Sequence, residues 1–402
     1  MADALFDRAI RRLKAEGPCR FDVPQGAPFE WMKAHCLRWT GGQLRMMGAR
    51  TARARIRTIA VDDERLIVWD QQDLAQHEYL HFLLQFDNDD ELNILARVAL
   101  YNCAALVLFA RGHLVHSGQL LRGTFSVAPN KAEIEARQKQ RKSYDSQPFS
   151  IAEYLLFFHE EAHYIFRNPS VSREKYFKLA AERIEKLRTR AERDLAERDF
   201  RFIRGPRGPA PFSAKEADGE YPRNLIAFLA EHEKSPVFIE EVACDLFAIE
   251  QLLKSFLTQT AALAAARLYS AVMMHYQIQA TLEGVRGIYE KIETPEIALD
   301  ITQNTGNQVR NDIRGFYFID KMSEILNPEP LFWQTYDAEV TRLYKEGLSK
   351  KYWRSVVMSA SVDVIANAHN KAWLADCEQR DKKLSDEERK NIRKALESDF
   401  GF

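Results

Sequence analysis

The chain has 402 residues, of which 46% are hydrophobic and 29% are charged, enough for two domains or for one large domain with appendages. Lysines and arginines number 57 against 58 acidic residues, which gives a formal net charge of −1. This balance provides no general attraction for phosphate groups, so neither nucleic acid nor a membrane is expected as the main partner.

The cysteines and the apolar segments indicate where the protein resides. The five cysteines are odd in number and no two of them form a CxxC pair, which favours free thiols in a reducing compartment. Residues 1–14 are charged and amphipathic and lack the apolar core of a signal peptide. The apolar runs are too short, or too interrupted by polar residues, to span a membrane. We therefore expect a cytoplasmic protein.

The first predicted elements form a small α+β region over residues 1–128. Residues 55–61 and 66–69 are β-prone and flank a turn at 62–64, which predicts a β-hairpin. The pattern of apolar residues then predicts two helices and a further strand, at 73–86, 91–110 and 120–127 respectively. A polar segment, 128–148, is expected to connect this region to the rest of the chain.

The remainder of the chain is predicted to be helical. Ser150, with Glu153 three residues later, has the pattern of a capping box at the start of a helix. Ser235-Pro236 is typical of the start of another helix, with serine as the cap and proline in the first turn. Between these two helices the sequence predicts a charged helix and an exposed loop rich in Gly and Pro, at 170–200 and 205–211.

The helix predicted to begin at the capping box contains His159-Glu160-Glu161-Ala162-His163, an H-E-x-x-H motif. Residues four apart lie on one face of a helix, so both imidazoles can bind a single zinc ion. The glutamate after the first histidine is then placed to accept a proton from water that zinc has made more acidic. The motif predicts His159 and His163 as metal ligands and Glu160 as the general base. The alternative is a core helix whose two histidines are merely hydrogen-bonded.

A second pattern, E-x-x-x-D, follows at Glu241 and Asp245. Glu241 could complete a site of two histidines and one glutamate, which leaves the fourth position of zinc to water. Asp245 lies on the same helical face and could accept a hydrogen bond from the far nitrogen of a zinc-bound histidine. The alternative is a solvated acidic face, although the apolar residues Val242, Leu246 and Ile249 argue against it.

The two motifs together resemble those of the gluzincin metallopeptidases, the thermolysin-like clan. The resemblance implies a zincin-type core, with Glu241 as the third zinc ligand and Asp245 as the residue that orients a histidine. The chain also resembles the Lit phage-exclusion peptidases of bacteria, which implies a helical build and an intracellular protein substrate. Two features depart from thermolysin: the interval between His163 and Glu241 is longer, and Glu161 is charged where many members have an uncharged residue.

A competing H-E-x-x-H motif occurs at His77-Glu78-Tyr79-Leu80-His81. Leu84 stands where the metzincin pattern requires a glycine, so a helix continuing past His81 would carry Asp87 away from the metal. We therefore expect an ordinary amphipathic helix here, while a second zinc site stays open.

These observations predict a mainly α (α+β) protein in three parts: the N-terminal region, a metallopeptidase core over 145–325 and a helical extension over 326–402. The expected activity is that of a zinc-dependent endopeptidase with a restricted protein substrate. The alternatives are a non-catalytic helical interaction protein with a structural zinc site and a zinc hydrolase of non-peptide substrates. Several residues could stabilise the oxyanion by their type alone, namely His232, Tyr269, His275 and Tyr276.

Overall fold

The computed structural model describes residues 4–22, 24, 27–83, 89–125, 147–167, 169–196, 220–257, 262–290, 301–343, 368 and 370–402. Within these ranges the protein has 14 helices and one four-stranded sheet, which confirms the predicted mainly helical class. No helix in the described ranges is long and apolar enough to cross a lipid bilayer.

The elements are numbered here in chain order. The strands are β1 Cys19–Phe21, β2 Leu44–Thr51, β3 Arg57–Val61 and β4 Glu64–Asp70. The helices of the first half are α1 Ala4–Glu16, α2 Ala27–Trp39, α3 Gln71–Leu83, α4 Asp89–Ala110, α5 Leu114–Phe125, α6 Gln147–Phe166 and α7 Val171–Ala196. Those of the second half are α8 Glu220–His232, α9 Pro236–Phe256, α10 Ala262–Glu290, α11 Ile301–Leu326, α12 Pro330–Leu343, α13 Lys371–Lys383 and α14 Asp386–Phe400.

The chain divides into two compact units. Unit 1 consists of residues 1–146, 278–299 and 351–402, and unit 2 consists of residues 147–277 and 300–350. The C-terminal helices α13 and α14 thus belong to the same unit as the sheet, whereas the sequence predicted a separate C-terminal extension. This placement depends on contacts between distant parts of the chain, which local patterns do not encode.

The sheet of unit 1 has the order β1-β2-β4-β3. Strands β3 and β4 form the predicted antiparallel hairpin, and β4 also pairs in parallel with β2. Helix α1 covers the sheet, because Leu5, Ala9 and Leu13 recur every four residues and bury one helical face against it. Each fully buried leucine of this kind contributes about 1.5–3 kcal/mol.

The strand predicted at 120–127 is wrong. Its residues up to Phe125 belong to α5, and the last two lie outside the described residues. A short apolar run fits a buried helix as well as a buried strand, and here packing against α4, α13 and α14 determines the outcome. Helix α5 is anchored, for example, by the backbone N–H of Val115, which donates to the Asp381 carboxylate at 3.1 Å.

Helix α6 of unit 2 begins at Gln147, three residues before the predicted cap at Ser150, so that prediction is wrong. Pro148 explains the difference, because proline is favoured in the first turn of a helix, where its missing N–H is not needed. The helix ends at Phe166, and the charged helix predicted after it is confirmed as α7.

Helix α9 is the central helix of unit 2. It begins as predicted, with the Ser235 side chain accepting a hydrogen bond from the Phe238 N–H and with Pro236 in the first turn. Between Val242 and Leu253 every residue except Gln251 is buried. A helix buried on all sides also buries its acidic residues, which must then be paired.

Candidate metal centre

Helices α6 and α9 pack together and bring the predicted ligands into one cluster. His159 and His163 lie one turn apart on α6, and their Nε2 atoms are each 3.5 Å from a carboxylate oxygen of Glu241 on α9. One donor atom from each residue lies within 4.8 Å of the other two, a spacing that suits ligands of a single ion. In the described part of the chain this is the one such group of three histidine, cysteine or acidic residues.

The Nδ1 atoms on the far side of both rings face carboxylates as well. His159 Nδ1 lies 3.0 Å from Asp245 Oδ1, and His163 Nδ1 lies 3.1 Å from Glu240 Oε1. A proton on Nδ1 leaves the lone pair of Nε2 free for a metal. Both imidazoles are therefore oriented with Nε2 toward the centre of the cluster, the arrangement in which carboxylates support metal-binding histidines.

Two arginines of α11 hold the acidic residues of α9. Arg310 binds both oxygens of Asp245, at 2.9 and 3.1 Å, and also lies 3.1 Å from Glu241 Oε2. Arg314 donates to Asp245 Oδ1 at 2.9 Å, and its guanidinium lies 3.6 Å from the ring centroid of Tyr276. Asp245 is only 1% exposed, so these two cations offset the cost of burying its charge.

These charges shift the pKa values of the cluster. Burial would raise the pKa of the Asp245 carboxyl, but Arg310 and Arg314 hold it well below its usual value. Burial also opposes ionisation of Glu241, yet the guanidinium of Arg310 and the imidazole of His159 lower its pKa. Burial by itself would lower the pKa of His159, but the hydrogen bonds with Asp245 and Glu241 outweigh the effect of burial and raise the pKa to about 10.

The donor set fits zinc. Two imidazole nitrogens and one carboxylate oxygen are the ligands of catalytic zinc sites that keep a fourth position open for water. His159, His163 and Glu241 are 14%, 23% and 31% exposed, so the cluster is reached from solvent on one side. Glu160, the predicted general base, follows His159 on α6, and its side chain is also partly exposed.

The competing motif lies in unit 1, on α3, and both of its histidines are buried. His77 Nδ1 lies 3.0 Å from the carbonyl oxygen of Asp73 and 3.3 Å from its carboxylate. Burial and the neighbouring His77 lower the pKa of His81 to about 3. Asp73 is in turn bound by Arg286 at 2.7 Å. Among the described residues, none forms with both histidines a group of ligand atoms that all lie within 4.8 Å of one another, and Asp87 lies outside the described residues.

Sequence patterns missed several residues that contact the cluster: Glu240, Cys244, Arg310 and Arg314. The two arginines lie 65 and 69 residues after Asp245, and their four-residue spacing on α11 is the signal that could have suggested a shared face. Of the residues suggested for the oxyanion, Tyr276 is buried beneath Arg314 and His275 is fully buried.

Glu250, two turns beyond the cluster on α9, has a partner set of its own. It is 3% exposed, lies 2.8 Å from Lys254 Nζ and accepts a hydrogen bond of 2.9 Å from the Tyr317 hydroxyl. Burial raises the pKa of its carboxyl, but the hydrogen bonds from Lys254, Tyr317 and Tyr176 outweigh that effect and lower the pKa to about 2.

The Glu250→Gln substitution is therefore expected to destabilise unit 2 in a pH-dependent manner. A carboxyl whose folded pKa is depressed stabilises the fold above its unfolded pKa of about 4.3, and this contribution is lost as the pH falls toward 2. Guanidinium denaturation should give wild type the higher free energy of unfolding at pH 7, and the difference should shrink between pH 4.5 and 2. A difference in unfolding free energy that does not change with pH would show that the Glu250 charge is not its source. Glu185→Gln, at an exposed site on α7, is the matched control.

The chain matches no known protein-family model, and no curated protein or solved structure is significantly similar to it. Its candidate function therefore depends on the site itself.

Proposed function

We propose that this protein is a zinc-dependent endopeptidase that hydrolyses a peptide bond in a protein substrate. The observation that carries the proposal is the meeting of His159 Nε2, His163 Nε2 and the Glu241 carboxylate between α6 and α9. Those two helices come from distant parts of the chain, and the H-E-x-x-H spacing alone does not require that a third ligand meet the pair.

In this proposal each residue of the cluster has one role. His159, His163 and Glu241 hold the ion, and Asp245 fixes the orientation of His159 through its Nδ1 atom. Bound zinc would polarise the substrate carbonyl and lower the pKa of water toward neutrality. Glu160 would accept a proton from water as the water oxygen adds to the substrate carbonyl carbon, and would return it to the amine nitrogen as the C–N bond breaks. Arg310 keeps Glu241 and Asp245 ionised and fixed relative to each other.

The partial exposure of the ligands supports a catalytic role over a structural one. Structural zinc sites have four protein ligands and are closed, whereas this cluster has three within the described residues and an open side. A non-catalytic interaction protein with a structural zinc site is therefore the weaker alternative. The ligand set does not distinguish peptides from other carbonyl substrates, so a hydrolase of non-peptide substrates is the second alternative.

The proposal extends to family and location. The H-E-x-x-H and E-x-x-x-D helices, with Asp245 against His159, support a gluzincin-type core, within which the Lit-like peptidases are the narrower proposal. None of the five cysteines, all of which the structure describes, forms a disulfide, which supports the cytoplasm as the compartment. The appended helices and unit 1 support a restricted protein substrate more than a general digestive role.

Metal analysis of the purified protein tests the site. Wild type is expected to carry about one zinc per chain, and the His159→Ala/His163→Ala double variant is expected to carry none. If the ligands share the roughly 10–16 kcal/mol typical of structural zinc sites, each contributes about 4 kcal/mol, so the loss of both histidines costs about 8 kcal/mol, or about 10⁶-fold in affinity. The matched control is His77→Ala/His81→Ala, which should retain zinc. If His159→Ala/His163→Ala retained zinc and His77→Ala/His81→Ala lost it, the assignment of the metal site to His159 and His163 would be refuted.

A further inference from the structure

The Nδ1 atom of His163 faces two different partners, and they favour opposite tautomers. Glu240 Oε1 lies 3.1 Å away and can only accept, so it favours a proton on Nδ1. Cys244 Sγ lies 3.5 Å from the same atom, and its S–H group can donate, which favours a bare Nδ1 and a proton on Nε2. Only the first tautomer leaves Nε2 free to bind a metal.

The geometry assigns Glu240 as the positioning residue that selects the metal-binding tautomer of His163 against the competing thiol of Cys244. This inference rests on the metal site proposed above. It adds to that site a residue that the E-x-x-x-D pattern does not contain.

The strengths of the two contacts determine which tautomer prevails. A hydrogen bond from an imidazole N–H to a carboxylate is charge-assisted and roughly twice as strong as a neutral one, whereas a thiol is a weak donor. At 3.1 Å the contact with Glu240 is also shorter than that of Cys244 with the same nitrogen and than that of Glu241 with Nε2, both of which are 3.5 Å. Because Cys244 is fully buried between α6 and α9, it remains beside the ring when Glu240 is removed.

Helix geometry explains why one helix can serve both sides of the ring. Glu240 and Glu241 are consecutive on α9, so their side chains diverge by about 100° around the helix axis. Glu241 reaches Nε2 of His163 at 3.5 Å, while Glu240 reaches Nδ1 of the same ring. The imidazole is thus held from both sides by neighbouring carboxylates, one as a metal ligand and one as the acceptor of the ring proton.

Zinc affinity tests this role. Measured by competition with a fluorescent chelator, affinity is expected to fall about 10- to 100-fold in Glu240→Ala, the range typical when the partner of a ligating histidine is lost. Glu240→Gln retains a neutral acceptor and should fall less. The control Glu185→Ala, which removes the same charge at an exposed site on α7, should leave affinity unchanged. An affinity of Glu240→Ala within twofold of wild type would overturn the inference.

Two further readouts separate tautomer selection from general packing. In the Glu240→Ala background, adding Cys244→Ala should restore part of the zinc affinity, because the competing hydrogen-bond donor is gone. A merely structural role for Glu240 predicts a further loss of affinity.

The second readout is the ¹⁵N spectrum of histidine-labelled, metal-free protein at a pH where the His163 ring is neutral. The His163 proton should lie on Nδ1 in wild type, whereas Glu240→Ala should show a mixture of the Nδ1 and Nε2 tautomers. A wild-type His163 proton on Nε2 would refute the inference even if the protein binds zinc. Wild-type protein that binds no zinc would refute the proposed function, but the same spectrum would still report which nitrogen of His163 carries the proton.

Discussion

Glu160→Gln is expected to bind zinc as tightly as wild type and to hydrolyse its substrate at least about 100-fold more slowly. The substitution keeps the size of the side chain and removes its ability to accept a proton, and a general base contributes about 10²–10⁴-fold to rate. Glu160 is not among the residues whose atoms form the cluster, so the metal should remain bound. The measurement is cleavage of a proteome-derived peptide library, followed by mass spectrometry, with zinc content determined on the same samples.

The matched control is Glu153→Gln, the same chemical change about two turns earlier on the same helix, at a residue that is not part of the cluster. It should cleave the library as wild type does. Unchanged cleavage by Glu160→Gln with zinc bound would remove Glu160 from the mechanism. No cleavage by wild type with zinc bound would favour the two alternatives, the interaction protein with a structural metal and the hydrolase of non-peptide substrates.

Asp245→Asn is expected to destabilise the protein by about 3–5 kcal/mol, the typical result of breaking a buried ion pair by removing one partner. The asparagine keeps the volume and one acceptor oxygen, so the effect isolates the charge. Arg314 is only 4% exposed and would be left as a buried cation facing a neutral amide. Guanidinium denaturation in the presence of EDTA measures this effect without a contribution from bound metal.

A double variant distinguishes the loss of the ion pair from a general loss of packing. Adding Arg314→Met to Asp245→Asn removes the more deeply buried of the two cations that pair with Asp245, while Arg310 keeps its contact with Glu241. Replacing a buried ion pair by apolar groups is often close to neutral. The double variant should therefore be more stable than Asp245→Asn alone. Equal or lower stability of the double variant would show that Arg314 contributes by its contact with the Tyr276 ring and not through the Asp245 charge.

The cluster could be predicted because its chemistry follows helical spacing. The H-E-x-x-H and E-x-x-x-D patterns each fix two side chains on one face, and zinc chemistry then restricts how those faces can meet. The structure brings together His159, His163, Glu241 and Asp245 as that reasoning requires. The roles assigned to these residues and to Glu160 remain predictions, because they concern a bound metal and a reaction.

What the sequence did not reveal depends on tertiary contacts. Arg310 and Arg314 belong to the site only because α11 packs against α9, and nothing local to 310–314 indicates which helix it will contact. The β2 strand pairs in parallel with β4, a pairing that requires an intervening crossover and leaves no hairpin signal. The misassigned residues 120–125 illustrate the same limit, since apolar residues alone do not distinguish a buried helix from a buried strand.

The ligands of the cluster come from two helices separated by α7 and α8, and this separation has a consequence for stability. An ion that binds both helices joins points distant along the chain, and it binds only when unit 2 is folded. Folding of unit 2 and zinc occupancy are then thermodynamically linked: at a free zinc concentration 1,000 times the dissociation constant, the gain is about 4 kcal/mol. Under the proposed zinc assignment, chelation would shift the melting temperature of this unit downward, so the supply of zinc would regulate how long the folded protein survives as well as its proposed activity.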